Sequence, residues 1–362
     1  MGKHYLNKLF EPQAVAVFGA SDREGSVGSL VFKNMIEGGF QGEVFPINPK
    51  HESVHGRKAF PDLKSIGKPV DLAVITTPAS TVPAIIEACG NYGIRDAVVI
   101  SAGFREVGPQ GLKLERAATE NARRYGMRIM GPNCLGLMRP STGLNCTFNK
   151  GSAAQGSIAL VSQSGALCTA ILDWAAANSI GFSAVVSTGI SADIDFGDIL
   201  DYLVNDPKTK SILLYIEGIH NALSFMSGLR AAARIKPVIA LKVGRHASGS
   251  KAAMSHTGAL VGADDVFDSA LRRAGVVRGI RIANLFSAAG ILTFPIKASG
   301  DRLVIITNGG GPGVMATDRL ADLGLPLADL SEQTMDKLNE ALPPTWSKGN
   351  PVDVLGDAGV DR

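Results

Sequence analysis

The stretch AVAVFGASDREGSVG, residues 14–28, decides the fold class that the sequence predicts. Its apolar run, Ala14–Phe18, is typical of a buried strand, and a helix is expected from about Val27. The turn between them begins with Gly19, Ala20 and Ser21. A strand, a glycine-containing turn and a helix N-terminus together form an anion site from backbone N–H groups. The full GxGxxG spacing is absent here, so an ordinary tight turn explains this stretch equally well.

The same strand–turn–helix unit recurs along the first 140 residues. Further apolar runs end near residues 47, 76, 101 and 130, and helical stretches separate most of them. This alternation favours a parallel, doubly wound sheet. The second run is followed by Asn48-Pro49-Lys50, where an NAD-binding domain would carry an acidic residue. The sequence therefore favours a phosphate-bearing ligand over NAD, although a solvated loop lysine is the simpler interpretation of Lys50.

A second series of units follows, and a third series begins. The strand predicted over Ser157–Val161 leads into Ser162-Gln163-Ser164-Gly165, which opens a helix and forms a second candidate anion site. A third strand is predicted over Asp301–Thr307, before a glycine-rich turn. We expect three α/β domains, at residues 1–140, 152–293 and 300–362. The third lacks enough units for a sheet, so we expect the chain to be a fragment of a longer polypeptide.

The stretch KAAMSHTGALVG, residues 251–262, carries the most reactive candidate, His256. Neutral imidazole is a nucleophile near pH 7 and can accept a phosphoryl group. Glu217 ends a predicted strand, so His256, Glu217 and the 162–165 turn should converge on one sheet edge. The alternatives are a histidine packed in a surface loop and a carboxylate that caps a helix.

Composition excludes several classes of protein. A formal charge of +3 over 362 residues gives no argument for nucleic acid or a membrane surface. The four cysteines show no metal-ligand spacing, and we expect reduced thiols in a cytoplasmic protein with no metal site of its own. No apolar run approaches the ~20 residues of a membrane span.

The motifs in their order resemble the NDP-forming acyl-CoA synthetase family, which includes ADP-forming acetate–CoA ligases and the succinyl-CoA synthetase alpha subunit. The resemblance runs from about Leu6 to the C-terminus. The residues that carry it are VFGASDREGSVG (17–28), INPK (47–50), GPNCLG (131–136), LVSQSGAL (160–167), YIEG (215–218), SHTGAL (255–260) and NGGGPGV (308–314). The implied folds are a Rossmann-like CoA-binding domain, a flavodoxin-like ligase domain and the start of a further α/β domain.

The resemblance also implies functions for individual residues. It makes His256 the phosphorylated residue, with Glu217 as its carboxylate partner. It places phosphate at Ser162, Gln163, Ser164 and Gly165, and coenzyme A at Gly19, Ala20, Ser21, Lys50, Ser101, Ala102, Asn133 and Cys134.

The implied reaction converts acyl-CoA, phosphate and ADP into a small carboxylic acid, CoA and ATP. ADP or ATP and Mg would bind an ATP-grasp domain or subunit that these residues do not include, and an oligomer is expected. A similar region precedes the GNAT domain of some protein lysine acetyltransferases, and the stretch of residues 171–203 looks very like theirs. The alternative is therefore an acyl-CoA-sensing regulatory region of such an acetyltransferase.

Overall fold

A computed structural model of the chain describes residues 4–246, 264–293 and 300–362. Its contacts divide the chain into two units, Met1–Thr293 and Phe294–Arg362. Two sheets with flanking helices form the first unit, one wholly parallel and one mostly parallel, as expected for the predicted α/β class. His256 and the rest of the 251–262 stretch lie outside the described residues.

The N-terminal sheet is doubly wound and wholly parallel. Its strands lie in the order β2-β1-β5-β6-β7. The strands are β1 (Ala14–Phe18), β2 (Glu43–Ile47), β5 (Leu72–Ile75), β6 (Asp96–Val99) and β7 (Arg128–Met130). A small hairpin, β3 (Ser53–Val54) and β4 (Arg57–Lys58), follows β2. The helices are α1 (Asn7–Phe10), α2 (Val27–Glu37), α3 (Val82–Tyr92) and α4 (Pro109–Arg124).

The second sheet repeats this winding. Its strands lie in the order β14-β13-β12-β10-β11-β8-β9, and the first five are parallel. The parallel strands are β10 (Gln155–Ser162), β11 (Phe182–Ser187), β12 (Ser211–Ile216), β13 (Val238–Lys242) and β14 (Val277–Gly279). The helices are α5 (Gly165–Ala177), α6 (Phe196–Asn205), α7 (Ala222–Ile235), α8 (Asp264–Ala274) and α9 (Ile282–Thr293).

Both sheets are buried on two faces, which explains the continuous apolar runs that identify their strands in the sequence. All five residues of β1 are buried. Val15 and Val17 of β1 belong to the same hydrophobic core as Ala159 and Val161 of β10. The two sheets therefore share a core, which fixes the edge of one sheet relative to the edge of the other.

An antiparallel hairpin, β8 (Gly136–Arg139) and β9 (Leu144–Thr147), completes the second sheet, and the sequence did not predict it. The strand β9 has no continuous apolar run, because it contains the polar residues Asn145 and Thr147. Both are buried like the apolar residues around them. The Thr147 hydroxyl donates to Asn145 Oδ1 at 2.7 Å, which satisfies both groups inside the strand. Such a strand has neither the alternating nor the continuous apolar residues that indicate strands in a sequence.

The unit formed by the remaining residues contains two parallel strands, β15 (Ile306–Thr307) and β16 (Val352–Asp353). Helices α10 (Gly310–Asp322) and α11 (Glu332–Ala341) lie between them in the chain. A small core is formed by Leu342, Trp346 and Val352. The strand predicted over Asp301–Thr307 is regular only in its last two residues.

Candidate functional site

One cavity lies at the carboxyl edges of both sheets in the Met1–Thr293 unit. In the first sheet the direction in which successive strands are added reverses between β1 and β5. In the second sheet it reverses between β10 and β12. Open α/β sheets bind ligands outside the carboxyl ends of strands at such a switch point. The cavity has a volume of about 810 Å³, and Thr76, Ser101, Gln163 and Glu217 are among the residues that line it. The two switch points thus face one space, which is large enough for an extended cofactor.

The first switch point depends on two glycines. Gly19 has a φ of +83°, and a Cβ at Gly28 would lie only 1.9 Å from the Gly19 carbonyl oxygen. The start of α2 therefore packs directly onto the turn after β1. Asn48 joins the next loop to this turn, since its side-chain amide donates to the Ala20 carbonyl at 2.8 Å.

Four residues predicted to contact CoA are not in the cavity lining. Ala20 is fully buried, while the Ser21 hydroxyl accepts a hydrogen bond from the Arg23 N–H at 3.1 Å. Lys50 is exposed on the loop after β2. Gly19 lies behind Thr76 and Thr77, both of which do line the cavity.

The other four predicted CoA residues lie together in the cavity wall: Ser101, Ala102, Asn133 and Cys134. The Ser101 hydroxyl donates to the Thr77 carbonyl at 2.5 Å, and the Asn133 N–H donates to the Ser101 carbonyl at 2.9 Å. Burial raises the pKa of the Cys134 thiol, so this thiol stays protonated and is a poor nucleophile.

The second switch point is built from side chains. The Ser162 hydroxyl is fully buried, accepts from the Ser164 N–H at 3.0 Å and donates to the Ser164 carbonyl at 2.9 Å. The Ser164 hydroxyl then caps α5 by accepting from the Leu167 N–H. The N–H groups of Gly165 and Ala166, which begin the helix, have no acceptor within it. This turn therefore presents backbone donors and the positive end of a helix dipole to the cavity.

Gln163 holds the loop after β10 against the loop after β12. Its Oε1 accepts from the N–H groups of Glu217 and Gly218, at 2.6 and 3.0 Å. Its Nε2 donates to the Gly218 carbonyl at 2.8 Å. Both ends of the amide are used, so Gln163 positions Glu217 beside the start of α5. Glu217 is buried, with 7% of its surface exposed, and lines the cavity.

His220 also lines the cavity, and it was not among the residues that the sequence predicted for the site. Desolvation in the wall and the positive charge of Arg105 lower its pKa, which favours neutral imidazole. The signal that could have identified it is its position, since it follows a strand's carboxyl end by four residues.

Across residues 4–246, 264–293 and 300–362, no group of three or more His, Cys, Asp or Glu side chains has the geometry to hold a metal ion. No helix within them has the length and apolar character needed to cross a bilayer. All four cysteines are free and buried.

Three family models match the chain in succession. A CoA binding domain matches residues 13–140, a succinyl-CoA ligase like flavodoxin domain matches residues 155–292, and a Ligase-CoA domain matches residues 303–360.

Curated relatives of known activity align along almost the whole chain. An ADP-forming acetate–CoA ligase I of Archaeoglobus fulgidus is 44% identical over 99% of this chain and 52% of its own length. The alpha subunit of the corresponding Pyrococcus furiosus enzyme is 43% identical over 98% of this chain and 77% of its own length. The chain therefore spans about half of the first relative and about three quarters of the second. The acetyltransferase alternative receives no support from these relatives.

Solved structures give the same result. The acetyl-coenzyme A synthetase 1 of Ca. Korarchaeum cryptofilum, in complex with phosphate and ADP, superposes with a TM-score of 0.92 at 37% identity. The match covers 98% of this chain and 76% of that chain. The predicted fold class and family resemblance are confirmed.

Proposed function

The chain belongs to the NDP-forming acyl-CoA synthetase family, and from that premise we propose that it is the CoA-binding and phosphohistidine portion of an ADP-forming acid–CoA ligase. One observation carries this proposal. The loops at two switch points, one typical of a nucleotide-like ligand and one of an anion, line a single cavity. A thioester and a phosphate could meet only in such a shared space.

CoA would bind along the first sheet. Gly19, Ala20 and Ser21 would receive its diphosphate, and Lys50 would reach its phosphates. Ser101 and Ala102 would flank the pantetheine, with Asn133 and Cys134 near the thiol end. Their positions in one continuous wall support this assignment for the last four. The domain limits we propose remain 1–140, 152–293 and 300–362.

Phosphate would bind at the start of α5. Backbone N–H groups of Gly165 and Ala166 would hold its oxygens, while Ser162 and Ser164 fix the turn. A phosphate oxygen then attacks the thioester carbonyl carbon, the carbon–sulfur bond breaks, and CoA leaves as the thiol after gaining a proton. The products are acyl phosphate and CoA. The protonated Cys134 takes no covalent part in this step.

His256 would next attack the phosphorus of the acyl phosphate, which releases the carboxylate and forms phosphohistidine. Glu217 would orient the His256 ring, as carboxylates orient imidazoles at many sites. Gln163 supports this role because it fixes the Glu217 backbone at 2.6 Å. The phosphoryl group would pass to ADP at an ATP-grasp domain or subunit, which would also bind Mg. A partner is consistent with the Pyrococcus furiosus relative, which is named a subunit alpha.

Intact mass spectrometry tests this proposal directly. The chain is mixed with acetyl-CoA and phosphate or, in a parallel sample, with acetyl phosphate alone. We expect a phosphate adduct that is acid-labile and absent from His256→Ala. His246→Ala is the matched control, because His246 is an exposed histidine outside the cavity lining, and it should retain the adduct.

Two results would refute the proposal. One is an adduct of equal yield in His256→Ala. The other is no adduct with either phosphoryl source, across several acyl-CoA substrates, while the chain still binds CoA.

A further inference from the structure

The thioester step of the proposed function, on which this inference rests, moves a proton as well as an acyl group. When acyl-CoA forms, the CoA thiol must lose its proton as the sulfur attacks the carbonyl carbon of the acyl phosphate. An alkyl thiol has a pKa of about 8.5, so only a few per cent of it is thiolate near pH 7. Burial raises the pKa of Cys134, which keeps its own proton and cannot accept this one. The step therefore needs another base near the thiol end.

Three side chains that can act as bases line the described part of the cavity: Glu106, Glu217 and His220. The Glu106 carboxylate is already used within its own loop, because it accepts from the N–H groups of Gly103 and Phe104 at 2.7 and 3.0 Å. Glu217 is the carboxylate proposed to orient His256. His220 is the base in this wall without another assigned role.

The loop after β11 places His220 close to the thiol end. A Cβ at Gly189, in this loop, would lie 2.4 Å from the Asn133 carbonyl oxygen. Two residues further on, Ser191 lines a second cavity together with His220. That cavity has a volume of about 10 Å³, no larger than one water requires. Two residues of chain span at most about 7 Å, so His220 and Asn133 belong to neighbouring parts of the wall.

The charges around His220 keep its ring in the basic form. Desolvation and the positive charge of Arg105 lower its pKa, while Asp195 and Glu115 oppose them. The Arg105 guanidinium is held in place, since its Nε donates to both Glu115 carboxylate oxygens at 2.8 Å. Asp195 is held by the Gly197 N–H, which donates to its Oδ1 at 2.8 Å. His220 is also exposed, so a proton that it accepts can pass to water.

We propose that His220 exchanges a proton with the sulfur of CoA. When acyl-CoA forms, the neutral ring takes the thiol proton as the carbon–sulfur bond forms. The bond between the carbonyl carbon and the phosphate oxygen breaks, and phosphate leaves with its electron pair. The imidazolium then releases its proton to water. In the opposite direction the imidazolium returns a proton to the departing thiolate. His220 thus acts on the thioester step and not on phosphoryl transfer to His256.

Two half-reactions of the chain test this role. Acetyl phosphate with CoA should give acetyl-CoA, and acetyl phosphate alone should give the phosphoenzyme, which intact mass detects. General acid–base catalysis typically contributes 10²–10⁴-fold to a rate. We therefore expect His220→Gln to slow acetyl-CoA formation at least about 100-fold at pH 7. Its phosphoenzyme formation, and its CoA affinity by calorimetry, should match wild type.

His246→Gln is the matched control, because His246 is an exposed histidine outside the cavity lining, and it should match wild type in all three measurements. Two further readouts respond to a base and not to a structural role. The deficit of His220→Gln should shrink above about pH 8.5, where the thiol ionises without help. Added imidazole should restore part of the rate of acetyl-CoA formation in His220→Ala.

The outcomes separate this inference from the proposed function. Equal rates of acetyl-CoA formation in wild type and His220→Gln would refute the role of His220 and leave the proposed function standing. A parallel loss of CoA affinity and phosphoenzyme, without rescue by imidazole, would indicate a structural role and also refute it. Phosphoenzyme without acetyl-CoA in wild type would overturn the thioester step, and the role of His220 with it, but not the phosphohistidine. If wild type gives neither product, the proposed function fails and His220 has no such role.

Discussion

The two sheets of the Met1–Thr293 unit wind their strands in the same order but build the central turn in different ways. After β1, Gly19 and Gly28 bring backbone against backbone, and no side chain could replace a hydrogen atom at Gly28. After β10, hydroxyls of Ser162 and Ser164 hold the turn. The first arrangement packs the start of α2 directly onto the turn, and the loop after β5 covers Gly19. The second fixes a small set of N–H donors, which suits a compact anion.

The sheets also differ in how they bury carboxylates. In the second sheet, Arg139 and Asp206 form a buried two-point ion pair with both contacts at 2.7 Å. In the first, Asp96 is buried with one carboxylate oxygen that has no hydrogen-bond partner among the described residues. The first sheet should therefore lose stability when Asp96 ionises, whereas the second needs Asp206 to be ionised.

The largest effect is expected from breaking the ion pair. Burial opposes ionisation of Asp206, but hydrogen bonds from Arg139 and Thr209 outweigh it and lower its pKa. Asp206→Ala would leave the Arg139 guanidinium buried without its main partner, and we expect a loss of about 3–5 kcal/mol in the free energy of unfolding. Urea denaturation at pH 7 measures this. A loss below about 1 kcal/mol, typical of an exposed pair, would contradict it.

Matched glycine substitutions test the two turns next. Gly28→Ala places a Cβ 1.9 Å from a backbone oxygen, so the turn must shift. We expect it to cost about 1–3 kcal/mol of stability and to weaken CoA binding. Gly165→Ala meets Leu135, whose nearest atom, Cβ, lies at 3.3 Å, so its cost should be under about 1 kcal/mol with CoA affinity retained. Equal losses in the two variants, by calorimetry and denaturation, would show that the turns do not differ as described.

Sequence patterns predicted the fold well where local signals and burial agree. Continuous apolar runs located β1, β10 and β12, because strands buried on both faces leave that pattern. The hairpin β8–β9 was missed, since buried Asn145 and Thr147 satisfy each other only in the folded strand.

Within the candidate site, sequence order located Ser164 and Glu217 at one sheet edge, and both line the cavity. The hydrogen bonds from Glu217 and Gly218 to the Gln163 side chain were not predicted. They depend on the folded position of a loop that is distant in the sequence. The position of His220 in the wall was missed for the same reason.

Stability should depend on pH through Asp96. Burial raises its pKa to about 7, and Arg128 and Lys8 offset only part of this. In the unfolded chain the pKa is about 3.9, so between these values the folded state keeps a proton that the unfolded state has lost. Ionisation of Asp96 therefore lowers stability as pH rises from about 4 to 7.

Asp96→Asn removes this dependence, and we expect it to gain about 1–2 kcal/mol over wild type at pH 8, with little gain at pH 4.5. Asp71→Asn is the contrasting variant. Burial raises the pKa of Asp71, but its contact with Lys8 outweighs that effect and lowers it. Asp71→Asn should therefore lose stability at pH 8. Denaturation of each variant and wild type at both pH values gives four differences in the free energy of unfolding. A gain for Asp96→Asn that is constant with pH would refute this interpretation.

The smallest effect is expected from the two helix caps, which distinguish the two turns directly because a serine caps both α2 and α5. Ser26 accepts from the Ser29 N–H at the start of α2, and Ser164 accepts from the Leu167 N–H at the start of α5. Each Ser→Ala change should cost about 1 kcal/mol in unfolding free energy. Only Ser164→Ala should slow phosphoenzyme formation, because only that cap holds the turn proposed to bind phosphate. Slowing by Ser26→Ala to the same extent would mean that capping acts through global stability and that the two turns do not have separate functions.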